Sequence, residues 1–99
     1  MPQLRVVAQL STQPGSEEMM RGALAKLAAA TQSHRGCIEF KLYESVSAPG
    51  TFVTVETWES PEDHESHMQT EDIAAALAAA EGHVDGDIAI HLLRPVPGD

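Results

Sequence analysis

Residues 51–67, TFVTVETWESPEDHESH, contain a strand-to-helix transition around which the rest of the chain can be arranged. Bulky residues alternate through Thr51–Trp58, which is the pattern of a β-strand. Ser60 and Pro61 then favour the start of a helix, because a serine side chain can cap free N–H groups and proline fits a first helical turn. The segment therefore predicts a corner where a strand delivers the chain into a helix.

Two residues at this corner, Trp58 and His67, are candidates for a site. Trp58, the only tryptophan of the chain, ends the strand. His64 and His67 are three residues apart, so they lie on one face of the predicted helix. A large aromatic ring and an imidazole at such a corner can line a small cavity, and we predict that Trp58 and His67 share one. His64 has acidic residues on both sides and is predicted to face solvent.

Hydrophobic periodicity predicts the remaining elements on either side of this corner. Alternation predicts strands, whereas apolar residues at helical spacing predict helices. A break near 69–70 divides the second helical region into two. The predicted elements are a strand at 4–12, a helix from a cap at Ser16 to a stop at Gly36, strands at 37–47 and 51–58, helices from Ser60 and at 73–81, and a strand at 87–94 after a loop bracketed by Gly82 and Gly86.

The order β-α-β-β-α-α-β predicts an α+β fold of the ferredoxin-like split βαβ type. Its core would be a four-stranded antiparallel sheet with the helices on one face. The first and last strands carry apolar residues at both alternating positions, which is typical of strands buried on both faces. Because the helices cover one face only, we infer a homodimer in which a second copy covers the other. Residues 4–96 are predicted to form a single domain.

Composition excludes several classes of partner. The formal net charge is −9, and the segment between Lys41 and Arg94 holds eleven acidic residues and no basic ones. Nucleic-acid phosphates and anionic membranes would repel such a surface, so we expect neither as a partner. The single cysteine and the lack of a signal-peptide or membrane-spanning pattern predict a cytoplasmic location.

Several short sequence motifs follow one another in a characteristic order along the chain. With this order and spacing the sequence resembles the antibiotic biosynthesis monooxygenase (ABM) family over roughly residues 4–96. The motifs are Gln13-Pro14-Gly15-Ser16-Glu17-Glu18, Gly36-Cys37 with Tyr43, Pro49-Gly50-Thr51-Phe52-Val53, Glu56-Thr57-Trp58-Glu59-Ser60, His67 and Pro95-Val96.

The resemblance implies a dimeric α/β-barrel and, as in the oxygenase members, oxidation of a phenol or quinol by O2 without flavin, heme or metal. The family also contains heme-degrading members and an isomerase of a phosphorylated sugar-like signal. The heme-degrading branch uses an asparagine on the first strand and a histidine on the last helix. Gln9 and Leu77 occupy those positions here, so heme degradation is not expected.

From this resemblance we interpret the chain as a cofactor-independent monooxygenase that oxidises a small phenolic or quinol-type substrate with O2. Its expected partner is a small aromatic or quinone-like ligand. His67 would be the acid or base, because an imidazole titrates near neutral pH, and Trp58 would form the cavity wall. Gln9 or Tyr43 would donate a hydrogen bond to the substrate, and His91 on the last strand is a further substrate-binding candidate. Oxidation would need only an apolar cavity, a base and donors for an oxyanion.

Neither a metal nor a bound cofactor is predicted. His64 and His67 would need a third ligand, such as His34, His83 or Asp63, and no metalloprotease-type spacing exists. No glycine-rich phosphate loop is present either. Two alternatives remain: a small-molecule-binding protein without turnover, and an isomerase of a small metabolite on the same fold.

Overall fold

The computed structural model describes residues 3–98 and has the predicted order of elements. The three helices and the antiparallel sheet confirm the ferredoxin-like α+β fold. The elements are β1 (Leu4–Thr12), α1 (Glu17–Thr31), β2 (Cys37–Glu44), β3 (Thr51–Trp58), α2 (Pro61–Met68), α3 (Glu71–Ala80) and β4 (Val84–Leu93).

The sheet has the strand order β2-β3-β1-β4, so β3 and β1 are central. All three strand pairs are antiparallel. Side chains alternate between the two faces, so partners across a pair lie on the same side. Val6, Glu56 and Phe40 form one such row and face the helices. The neighbouring row, containing Val7 and Val55, lies on the opposite face.

Two predicted strand boundaries were wrong. β4 begins at Val84 rather than 87, and Gly86 lies inside the strand at a φ of +84°. Residues 86–88 lie opposite Leu10 alone, because the register with β1 shifts there, and glycine tolerates this irregularity. β2 ends at residue 44 rather than 47, since the hydroxyl of Ser45 accepts a hydrogen bond from the N–H of Ala48 at 3.0 Å and turns the chain.

The predicted helix start at Ser60 and the predicted break near 69–70 are confirmed, and a side-chain cap marks each. The Ser60 hydroxyl accepts from the N–H of Asp63 at 3.1 Å, and the Thr70 hydroxyl accepts from the N–H of Ile73 at 3.3 Å. Ser16 occupies the predicted cap position of α1, but its side chain makes no capping hydrogen bond. These caps fix where α2 begins and where α3 turns away from it.

All three helices pack on the same face of the sheet, where they form two apolar clusters. Each fully buried large side chain in such a cluster contributes about 1.5–3 kcal/mol to stability. The first cluster consists of Leu10, Met20, Leu24, Phe52 and Ala80, and the second of Val6, Phe40 and Trp58. Within residues 3–98 no helix combines the length and apolarity needed to span a bilayer.

The opposite face of the sheet, which we call the open face, carries several apolar side chains. Val55 lies near its centre, paired with Val7 on one side and Lys41 on the other. Val53 is paired with Gln9 and Tyr43 in the next row. No helix of the described chain packs on these residues, so a protein surface that covered them would bury additional apolar area.

We propose that the chain forms a homodimer through the open face. Val55→Asp would place a charge at the centre of that contact and should convert the dimer to a monomer in sedimentation velocity at micromolar concentration. Val46→Asp is the matched control, because Val46 lies in an exposed turn, and it should leave the dimer intact. A wild-type chain that sediments as a stable monomer would contradict the proposal.

Candidate active site

A cavity of about 100 Å³ lies between the helices and the sheet. Its walls are mostly apolar and come from both core clusters, including Leu24, Phe40 and Phe52. The polar lining is concentrated in a few side chains of β3 and α2, chiefly Thr54, Glu56, His64 and His67. An apolar chamber with a few convergent polar groups is the usual form of a small-molecule site.

Glu56 is a buried carboxylate at the polar end of this cavity, with only 4% of its surface exposed. The Trp58 indole N–H donates to its Oε1 at 2.9 Å, and the Thr54 hydroxyl donates to its Oε2 at 2.7 Å. Residues 54, 56 and 58 meet in this way because alternate residues of β3 share one face. A carboxylate has about four lone-pair positions, so Glu56 can still accept from a ligand.

Trp58 supports the site from behind the cavity wall. It is fully buried but does not line the cavity, and its indole N–H is already donated to Glu56. Its ring packs against that of His67 with centroids 4.6 Å apart. The two rings are in contact, but the prediction that Trp58 and His67 share a cavity was wrong, because only His67 lines it. The expectation that Trp58 forms the cavity wall does not fit this geometry, since its ring lies behind the lining residues.

His67 is 3% exposed and carries a strongly shifted pKa. Burial is the largest cause lowering the pKa of His67 from 6.5 to about 4, followed by the positive charges that the nearby imidazoles could carry. The Asp72 carboxylate opposes this shift. His67 is therefore a neutral imidazole at physiological pH, so one ring nitrogen can accept a proton.

His67 is also the inner end of a chain of three hydrogen-bonded side chains. Its Nδ1 lies 2.8 Å from Nδ1 of His34, which follows α1. The other ring nitrogen of His34 lies 2.8 Å from Oδ2 of Asp72, in the first turn of α3. The sequence indicated His34 only as a possible metal ligand. No group of three ligand-type side chains within residues 3–98 is arranged to hold a metal.

The prediction that His64 faces solvent was wrong. His64 is buried, with its ring edge-on to Trp58 at a centroid distance of 5.9 Å. Burial lowers the pKa of His64, while the charge of Glu56 raises it to a smaller extent. The three-residue spacing explains this placement: both histidines share the helix face that packs on β3, whereas Glu62 and Glu65 are exposed.

Two other predicted site residues lie away from the cavity. Tyr43 is 55% exposed, and its pairing with Val53 places it on the open face. His91 pairs with Val7 and is exposed on the same face. Gln9 borders the cavity, but it also pairs with Val53, so it contributes main chain while its side chain points to the open face.

Sequence reasoning missed four polar residues of the site: Thr54, Glu56, His34 and Asp72. A signal for the first two was present, because Thr54 and Glu56 share the strand face of Trp58 and are polar where a core residue is expected. His34 and Asp72 are far from each other in sequence and carry no such signal. Only the packing of α1 and α3 brings them together.

The shifted pKa of His67 makes stability depend on pH. Between pH 6.5 and 4 the unfolded chain binds a proton at residue 67 that the folded chain does not. The free energy of unfolding should therefore fall as pH drops through this range, by about 3 kcal/mol from His67 alone. His67→Gln should remove this contribution. The free energy of unfolding, measured with urea at fixed protein concentration, should then depend less on pH. If the free energy of unfolding varied with pH equally in the wild type and the variant, the lowered pKa of His67 would be contradicted.

Comparisons with known proteins agree with this architecture. The family model described as antibiotic biosynthesis monooxygenase matches residues 3–79. A solved structure named antibiotic biosynthesis monooxygenase is 24% identical, with 95% of this chain and 99% of that chain covered and a TM-score of 0.89. No curated protein is significantly similar in sequence.

Two further solved structures come from identified organisms. A candidate antibiotic biosynthesis monooxygenase from Caulobacter crescentus CB15 is 27% identical over 95% of this chain and 90% of that chain, with a TM-score of 0.87. A Mycobacterium tuberculosis protein is 22% identical over 98% of each chain, with a TM-score of 0.88, and shows the shared fold. Because the family model covers most of its length, the chain belongs to the antibiotic biosynthesis monooxygenase family.

Proposed function

We propose that this protein is a cofactor-independent monooxygenase that oxidises a single-ring phenol or quinol with O2. Family membership supports a monooxygenase-like function in general. The cavity volume of about 100 Å³ limits the substrate to a single ring, since an apolar cavity of about 150 Å³ holds one benzene. The proposal is carried by one observation: a neutral imidazole with a nitrogen that makes no hydrogen bond within the described residues lines a mostly apolar cavity.

This nitrogen is Nε2 of His67. Every fully buried side-chain nitrogen or oxygen within residues 3–98 has a hydrogen-bond partner. Among the described residues, the side-chain hydrogen bond of His67 uses Nδ1, so Nε2 is not fully buried. Since His67 lines the cavity, we take Nε2 as the nitrogen that faces it. A base must come within hydrogen-bond reach of the proton that it removes, and a hydroxyl in this cavity could meet that condition.

The chemistry requires no external reductant. When His67 takes the hydroxyl proton, the resulting phenolate is electron-rich enough to reduce O2. One oxygen atom enters the ring as a carbonyl, and the other leaves as water with two hydrogens of the substrate. A phenol and O2 thus give a quinone and water, and the four electrons all come from the ring. Apolar walls favour this reaction by limiting water around the anion.

Glu56 would orient the substrate. Each of its oxygens already accepts one hydrogen bond from β3, and the carboxylate lines the cavity. A second hydroxyl on the ring could donate to it while the first faces His67. This arrangement favours a quinol over a phenol with one hydroxyl, because a phenol would leave Glu56 without a ligand donor.

Oxygen uptake with a panel of single-ring quinols tests the proposal. The wild type should consume O2 and, with ¹⁸O₂, place one labelled atom in the product. His67→Ala should lower turnover by about 10²- to 10⁴-fold, as expected for loss of a general base. His83→Ala is the matched control, because that imidazole binds Ser16 outside the cavity and its loss should leave turnover unchanged.

Other outcomes would contradict the proposal in distinct ways. Quinol binding without O2 consumption would indicate a small-molecule-binding protein, and conversion under anaerobic conditions would indicate an isomerase. Full activity in the His67→Ala variant would support the oxidation but show that His67 is not its base.

A further inference from the structure

We propose that His34 and Asp72 relay protons between solvent and His67. A proton can then leave or enter the cavity without leaving a positive charge on His67. The inference rests on the proposed function, in which His67 removes the hydroxyl proton of the substrate. The relay gives a role to two residues outside the cavity, His34 and Asp72, which act through His67. His34 is the group that holds the positive charge.

The geometry provides a continuous path from the surface to the cavity. The side chain of Asp72 is 49% exposed and that of His34 is 11% exposed, whereas His67 is almost completely buried. The two successive contacts along this path are both 2.8 Å long. Both distances are within the range for hydrogen bonds through which protons can transfer.

The carboxylate sets the proton positions when the relay holds no extra proton. An ionised Asp72 can only accept, so His34 donates its Nε2–H to it. Neutral His34 then presents an unprotonated Nδ1, and His67 must donate its own Nδ1–H to that atom. Nε2 of His67 is left with a lone pair facing the cavity. This is the base form of the site.

One added proton reverses the inner hydrogen bond. When Nε2 of His67 takes the substrate proton, the Nδ1–H proton of His67 passes to Nδ1 of His34. His34 is then a cation that donates to Asp72 on one side and to His67 on the other. His67 is again neutral and now carries its hydrogen on Nε2, towards the cavity. This acid form can return the proton to the reduced oxygen, which leaves as water.

The relay removes an energetic problem of the site. A pKa of about 4 makes His67 a weak base near neutral pH, because burial and the neighbouring imidazoles disfavour its cation. In the relay the positive charge lies on the more exposed His34, beside the carboxylate of Asp72. The other titratable groups around His67 are His64 on its own helix and Glu56 on β3, which acts on His64.

Nitrogen-detected NMR of the histidine rings tests the arrangement without any substrate. As pH falls, His67 should switch its hydrogen from Nδ1 to Nε2 at the same pH at which His34 becomes a cation. Asp72→Asn should move this switch to lower pH, because the charge that stabilises the cation is lost. Glu71→Gln is the matched control, since it removes the adjacent charge of the same helix turn and should move the switch much less. A His67 ring that keeps one tautomer throughout would overturn the proposal.

Kinetics test whether the relay serves turnover. His34→Gln should lower kcat by about 10²-fold, the lower end for acid–base catalysis, with KM little changed. It should also change the pH profile of kcat, because the side chain that holds the proton in the relay is lost. Unchanged kcat and pH profile in this variant would overturn the relay even if the tautomer switch is seen. If the wild type consumes no O2, the proposed function fails, and the NMR experiment still decides the proton arrangement.

Discussion

The packing of His67 on the indole of Trp58, with ring centroids 4.6 Å apart, is the contact on which the site depends. It fixes α2 on β3, and it buries an imidazole that would otherwise be hydrated. Burial in turn keeps the ring neutral and leaves it dependent on its hydrogen-bond partners. The same indole donates to Glu56, so one side chain positions two of the polar groups of the cavity, Glu56 and His67.

Much of the fold could be predicted from the sequence, because β3 and the helix start at Ser60 follow strong local rules. The failures occurred where tertiary structure overrides such rules. Gly86 was interpreted as a loop residue, although the register shift against β1 places it inside β4. His64 was predicted to be exposed from its acidic neighbours, but its helix face is directed at β3.

The site was predicted less completely than the fold. His67 and Trp58 could be paired because they are close in sequence and their elements meet at a corner. Their partners could not, since His34 and Asp72 reach each other only through the packing of helices that are distant in sequence. The acidic composition bears on the choice of substrate. With no basic residue between Lys41 and Arg94, the chain repels anions. A neutral substrate that is deprotonated only inside the cavity therefore suits the chain better than an anion.

The central claim is that a substrate hydroxyl meets Nε2 of His67 inside the cavity. A crystal structure with a single-ring quinol, prepared without oxygen so that the substrate is not consumed, tests this most directly. We expect the ring between the two core clusters, with one hydroxyl about 2.6–3.2 Å from Nε2 of His67 and the other directed at Glu56. A ring bound on the open face, or one whose hydroxyls contact neither residue, would contradict the account.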